Sequence, residues 1–136
     1  MPYLKNYHLL ISHSWRYSHQ YETIVNWLNG SPYFKWSNHS VSADNPFNTE
    51  SDSGLQDRLT RQIQGCSAII VVSGMYTSYS KWINYEINEA RRMNKPIIGI
   101  KPWGNERVPV KIQEDSTALV NWNSNSLISA VRDYAL

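Results

Sequence analysis

Short apolar runs without alternation give the clearest pattern along the chain. Ala68-Ile69-Ile70-Val71-Val72 is followed by Pro96-Ile97-Ile98-Gly99-Ile100, with Leu9-Leu10-Ile11 near the start and Ala118-Leu119-Val120 near the end as shorter versions. Unbroken runs rich in β-branched residues suit parallel strands covered on both faces. Between them the spacing turns helical. Tyr21, Ile24, Val25 and Leu28 share a face that ends at Asn29-Gly30, a helix stop. Leu55, Leu59 and Ile63 recur every four residues and stop at Gly65, and Ile83, Ile87 and Ala90 run on to Asn94-Lys95-Pro96. Leu127, Val131 and Tyr134 mark a terminal helix, with Ser124 or Ser126 as its N-cap.

Strands alternating with helices imply right-handed βαβ units and a parallel sheet with helices on both sides. Tyr33-Phe34-Lys35-Trp36, running on towards Val41, is the most polar strand and belongs at a sheet edge. Five strands and about five helices predict a flavodoxin-like α/β fold, a three-layer αβα sandwich with strand order 2-1-3-4-5. Ligands in such sheets bind beyond the carboxyl ends of the strands. Here those are the loops after Ile11, Trp36 and Val72. The segment Ser37 to Gly54 is long and polar and contains Asp44-Asn45-Pro46; loops of that length inside one domain commonly carry function.

Composition narrows the class. The chain has 136 residues, 41% of them hydrophobic, with a net charge of +2, which suits a single folded domain spanning residues 1–136 and excludes a disordered chain. No apolar run approaches the ~18–20 residues of a membrane span, and the first residues lack the features of a signal peptide. With one cysteine, no internal disulfide forms, and a reducing cytoplasm is the expected setting. Cys66, before an apolar strand, reads as a buried thiol. Four scattered histidines give no zinc spacing, and His8 and His19 have no partner pattern. No basic stretch interleaved with aromatics points to nucleic acid.

Three kinds of site recur on this layout. A phospho-accepting receiver needs carboxylates after strand one and at the end of strand three to hold Mg²⁺. Ser12-His13-Ser14 and Ser73-Gly74 stand there instead, so that reading fails. A flavodoxin needs a glycine- and hydroxyl-rich phosphate loop after strand one; Ser12 to Ser18 is hydroxyl-rich without glycine, although Trp15 and Tyr17 could stack on a flavin. The third lies on the helix after strand three. Trp82 and Glu86, four residues apart, share a helix face, and that face is expected to turn away from Ile83, Ile87 and Ala90 towards the ligand crevice. An indole beside a carboxylate suits a planar base and a ribose.

These residues resemble the TIR domain family. Trp-x-x-x-Glu at Trp82 and Glu86, with the strand Lys95 to Ile100 after it, is similar to the third helix and fourth strand of NAD-cleaving TIR domains. Ile11-Ser12-His13-Ser14 with an aromatic and Arg16 resembles the family's first-strand signature, though His13 stands where an aromatic is common. The loop holding Asp44, Asn45 and Pro46 occupies the place of the family's BB loop without a strict motif. The run from Lys95 to Gly104 is most similar to the TIR-like branch of bacterial Thoeris antiphage systems. The likeness spans roughly residues 7 to 134.

The resemblance implies an enzyme that cleaves NAD⁺ as substrate, with no further cofactor and no metal. Glu86 would be catalytic, and Ser12, His13, Ser14, Trp15, Asp44, Asn45 and Trp82 would contact substrate. It also implies an ADP-ribose-derived signal read by a separate effector protein, a phage-derived trigger, and self-association through TIR surfaces, with no nucleic-acid or membrane partner. The competing readings are a TIR module that only scaffolds and, more remotely, a flavin-binding protein. Residue by residue, the competing reading takes Glu86 as a solvated helix residue, exposed or pairing with Lys81 or Arg91, and Trp82 as core packing. Glu89, one turn deeper along the helix, is the rival carboxylate. Arg91-Arg92 suit a helix C-terminus. Trp103 and Trp122 follow strands and serve either a pocket or the core.

Overall fold

The protein is seen in a computed structural model that describes residues 5–12, 18–40, 52–72, 76–101 and 110–136. Elements alternate along it: β1 (Asn6–Ser12), α1 (Ser18–Gly30), β2 (Lys35–Asn38), α2 (Asp52–Gln64), β3 (Ala68–Val72), α3 (Tyr76–Arg92), β4 (Ile97–Ile100), α4 (Val110–Asp115), β5 (Ala118–Val120) and α5 (Ser124–Tyr134). All strand pairs are parallel, in the order β2-β1-β3-β4-β5. This is the flavodoxin-like sheet that the alternation of apolar runs and helical spacing predicts.

The helices cover both faces: α1 packs with α5 on one, and α2 with α3 on the other. Every residue of β3 and β4 is buried, as strands sandwiched between helix layers must be. The core joins these strands to Ile24 and Leu28 of α1, Ile63 of α2, Ile83 and Ile87 of α3, and Leu127 and Val131 of α5. Trp122 meets Trp27 edge-on with ring centroids 4.9 Å apart, so it belongs to the α1–α5 layer rather than to a pocket. No helix among the described residues is long and apolar enough to cross a membrane.

Several boundaries differ from the sequence expectation. Strand two begins at Lys35 rather than Tyr33, because Tyr33 adopts the left-handed conformation (φ 57°) and makes a turn, its ring exposed. Phe34 instead stacks on Tyr7. The segment Ser37 to Gly54 is not all loop: β2 takes in Ser37 and Asn38, and α2 already starts at Asp52. Neither Ser124 nor Ser126 caps α5. Asn123 does, its side chain accepting from the Ser126 amide at 2.8 Å. Tyr134 lies on the exposed side of that helix, which is anchored through Leu127, Ile128, Ala130 and Val131.

Registration aligns the carboxyl edge. Ser12 pairs with Val71 and Val71 with Gly99, so these residues form one row across β1, β3 and β4, pointing to the same face. α3 covers Ser12 in that row and α4 covers Gly99. Gly99 has no room for a side chain, since an added Cβ would lie 2.8 Å from Ser116 Oγ and 3.1 Å from Ile112 Cγ2.

Candidate functional site

Glu86 sits in the interior. Only 2% of it is exposed, and it is one of three buried polar residues among those described, with Ser12 and Ser67. Its place on α3 explains this. The helix starts at Tyr76, so Glu86 stands ten residues, or about 15 Å, along it. At that depth it faces Ser12 where β1 ends. The apolar band of Ile83, Ile87 and Ala90 is therefore wider than its spacing suggests. Glu86 lies within the band rather than on a face turned away from it.

Burial sets the chemistry of this carboxyl. Loss of hydration disfavours the anion and pushes its pKa up to about 8, while the Ser12 hydroxyl pulls the other way. The Ser12 approach falls short of a regular hydrogen bond. Ser12 Oγ and Glu86 Oε2 are both buried without a hydrogen-bond partner among the described residues. Orphaned polar atoms in an interior are uncommon, and each calls for a reason such as strain, a catalytic role or a bound water or ion. Glu86 is thus neither the solvated residue nor the Arg91 partner of the alternative reading: Arg91 pairs with Asp115 at 2.5 Å.

Trp82, one turn before Glu86, is half-buried against Leu55 and Leu59 of α2 together with Tyr85, whose ring it meets edge-on at 6.4 Å. It joins α3 to α2. Glu89, the rival carboxylate, is committed elsewhere. Arg92 holds it through two contacts of 2.8 and 3.1 Å, Thr60 donates to it at 3.0 Å, and these bonds keep its pKa below the ordinary value. A carboxylate so engaged is structural, whereas Glu86 keeps a buried oxygen without a partner among the described residues.

Of the predicted site residues, the structure brings Ser12 and Glu86 together and sets Trp82 one helical turn away. His13, Ser14, Trp15, Asp44, Asn45 and Trp103 lie outside the described residues. Three surface grooves of about 490, 330 and 360 Å³ lie elsewhere, between β5 and α5, at the start of β4 and along α2. None is lined by Ser12 or Glu86, and an open groove without orphaned buried groups is the weaker candidate for chemistry. Cys66 is a buried thiol as expected, its pKa pushed up to about 12 by burial, donating to the Gln62 carbonyl. Among the described residues no cluster of three His, Cys, Asp or Glu side chains could hold a metal.

Residues 10–107 match the family model described as Thoeris protein ThsB, TIR-like domain. The chain belongs to that family. The TIR-like domain matches no curated protein. Among solved structures it resembles a CMP N-glycosidase, BcmB, of Clostridium botulinum, with a TM-score of 0.57 at 14% identity over 92% of this chain and 98% of the other. At that identity the likeness concerns the fold.

One feature of the TIR-like domain escaped sequence reasoning. His8 Nδ1 and His39 Nε2 lie 2.9 Å apart, and His39 Nδ1 meets Gln62 Oε1 at 3.1 Å. His8 pairs in register with Ser37, so His39 is its diagonal neighbour on the same sheet face. The signal needed was the β1–β2 register, which spacing in the chain does not carry.

Proposed function

We propose that this TIR-like domain cleaves the bond between nicotinamide and ribose in NAD⁺ and passes the ADP-ribosyl group into a signal nucleotide, cyclic in form, for antiphage defence. The observation that carries this reading is Glu86: a buried, incompletely partnered carboxyl facing Ser12 at the carboxyl edge of the sheet, in the Trp-x-x-x-Glu pattern of a ThsB-type TIR-like domain. The carbon–nitrogen bond breaks heterolytically, the electron pair leaving with nicotinamide. Positive charge develops on the ribose, and the Glu86 anion offsets it in a site that excludes water. Neutral at rest, the carboxyl ionises as a cationic substrate is seated, releasing its proton to solvent. The Ser12 hydroxyl then donates to the anion or to a ribose oxygen. Water, a purine nitrogen or a ribose hydroxyl captures the ribosyl cation, and the choice sets the product. On this reading His13, Ser14, Trp15, Asp44, Asn45 and Trp82 frame the substrate, the trigger is phage-derived, copies associate through TIR surfaces, and a separate effector reads the product in the cytoplasm.

The likeness to a CMP N-glycosidase favours a second reading, in which the same carboxyl cleaves a nucleoside monophosphate. One experiment separates the two. Purified protein and lysates of phage-infected cells, each with wild type or Glu86→Gln, are incubated with NAD⁺ or CMP, and the products are resolved by mass spectrometry. Glu86-dependent nicotinamide release supports the first reading, and cytosine release the second. Neither, with Glu86→Gln still protective, leaves a scaffold.

A further inference from the structure

The histidine pair at the β2 edge of the sheet belongs to a longer chain of hydrogen bonds. Gln62 Oε1 has no hydrogen to give, so His39 Nδ1 must carry one to meet it. Between His39 Nε2 and His8 Nδ1, 2.9 Å apart, one hydrogen fits and two do not. At the far end the Asn6 amide lies 3.5 Å from His8 Nε2 and 3.0 Å from Ser37 Oγ, and Asn6 Oδ1 is buried without a partner among the described residues.

Counting hydrogens along this chain gives its capacity. With both rings neutral, His8 donates through Nδ1 to His39, His39 donates to Gln62, and Asn6 donates to His8 Nε2. One extra proton is also accommodated: His39 then donates to His8, His8 Nε2 becomes a donor, and a turned Asn6 amide accepts it through Oδ1. A second extra proton sets two N–H groups head to head at 2.9 Å, and the rings must part.

The described groups hydrogen-bonded around the pair bring no charge to offset that. Asn6 comes from β1, Ser37 from β2 and Gln62 from α2, and Ser67 at the head of β3 accepts from the His8 amide; all are uncharged. Cys66, bonded to the Gln62 carbonyl, is a neutral thiol. Asp57, Arg58 and Arg61 of α2 and Lys35 of β2 are exposed. Among the described residues no Asp or Glu joins the two histidines in a cluster of three.

What the pair fastens is the end of the sheet beside Ser12. The His39 amide donates to the Leu9 carbonyl at 2.8 Å, and the Ile11 amide donates to Ser40 Oγ at 2.9 Å. Ile11 directly precedes Ser12. We propose that His8 and His39 form a proton-gated latch that positions the end of β2 against β1 and α2, closed with up to one extra proton and opened by a second. The bearing of the latch on catalysis rests on the proposed activity; the latch itself does not.

Two measurements on the full chain test it. In ¹⁵N-detected imidazole spectra, a coupling through the hydrogen bond should join His8 Nδ1 to His39 Nε2 at pH 8 and be absent at pH 4.5. In amide exchange corrected for intrinsic rates, protection of Ile11 and His39 relative to Ile69, which is held by Pro96 just before β4, should fall about tenfold or more from pH 7 to 5. In His39→Gln that ratio should not change with pH. Rings that show no such coupling at pH 8, or a pH-invariant ratio in the wild type, would overturn the latch. If His39→Gln does not fold, the wild-type measurements decide.

Discussion

The hydroxyl of Ser12 and the carboxyl of Glu86 face each other where β1 ends, each buried and each with an oxygen that no described group satisfies. An interior built for stability alone would fill this position with an apolar side chain, as the neighbouring Ile83 and Ile87 do. The cost of keeping a carboxyl here is readable as a pH dependence. Because the folded pKa of Glu86 is raised from 4.5 to about 8, the folded chain holds its proton longer than the unfolded chain. The native state is therefore favoured below about pH 4.5, and that advantage is lost as pH rises through 8.

Replacing Glu86 by Gln keeps the shape of the protonated acid and removes the titration. The variant should match the wild type in thermal stability near pH 5 and exceed it progressively up to pH 8.5. The shift amounts to about 3–5 kcal/mol at most. Calorimetric scans across that range check this, independently of any enzymatic assay. A stability difference that is flat with pH would mean that Glu86 ionises as an ordinary exposed carboxylate. If the chain is the proposed enzyme, its kcat/KM should rise with pH towards about 8 and level off as free Glu86 becomes anionic.

Ser12→Ala tests the other partner. The hydroxyl holds the Glu86 pKa down, so its loss should move the carboxyl titration upwards, as seen by ¹³C NMR of the side-chain carboxyl. Removing a buried, unpartnered oxygen costs no hydrogen bond, and stability should change by less than about 1 kcal/mol. Under the proposed mechanism catalysis should fall while the fold persists. A titration that stays in place would separate Ser12 from the site.

Glu89→Gln provides the contrast. Glu89 is tied to Arg92 and Thr60 at the α2–α3 seam. Its change should lower the melting temperature only slightly, by less than about 4 °C, because the pair with Arg92 lies at the surface. Whatever reaction Glu86 supports should survive it. Equal loss of activity in Glu86→Gln and Glu89→Gln would point to the helix as a whole rather than to one carboxyl.

The sheet was legible because its central strands are continuous apolar runs suited to burial on two faces, and β3 and β4 behave accordingly. Glu86 was legible as a position and not as an environment. Helical spacing placed it beside Trp82, but how far α3 extends before β3's edge decides which residues lie inside. With the helix beginning at Tyr76, Trp82 packs on α2 and Glu86 reaches the interior. Turn chemistry hid the start of β2, since nothing local marks Tyr33 as left-handed. The His8–His39 contact depends on a diagonal step between strands, which only the register supplies.

Gly99 shares a row with Ser12 and Val71, and its lack of a side chain lets α4 close on the sheet. An alanine Cβ there would stand 2.8 Å from Ser116 Oγ, 3.0 Å from Leu119 Cδ1 and 3.1 Å from Ile112 Cγ2, so three groups must yield at once. Gly99→Ala should destabilise the fold by about 1–3 kcal/mol, as overpacked cores do. Gly30, at the end of α1, has nothing within 4 Å of the same added carbon, so Gly30→Ala should be neutral or stabilising by up to about 1 kcal/mol. The pair of variants separates crowding from any general effect of removing a glycine. Ser116 Oγ, the closest obstacle, is itself buried without a partner among the described residues. Ser116→Ala should therefore restore part of the stability lost in Gly99→Ala when the two are combined, a non-additivity that denaturant unfolding would reveal. Strict additivity would instead place the strain on Leu119 and Ile112, and hence on the seating of β5 and α4.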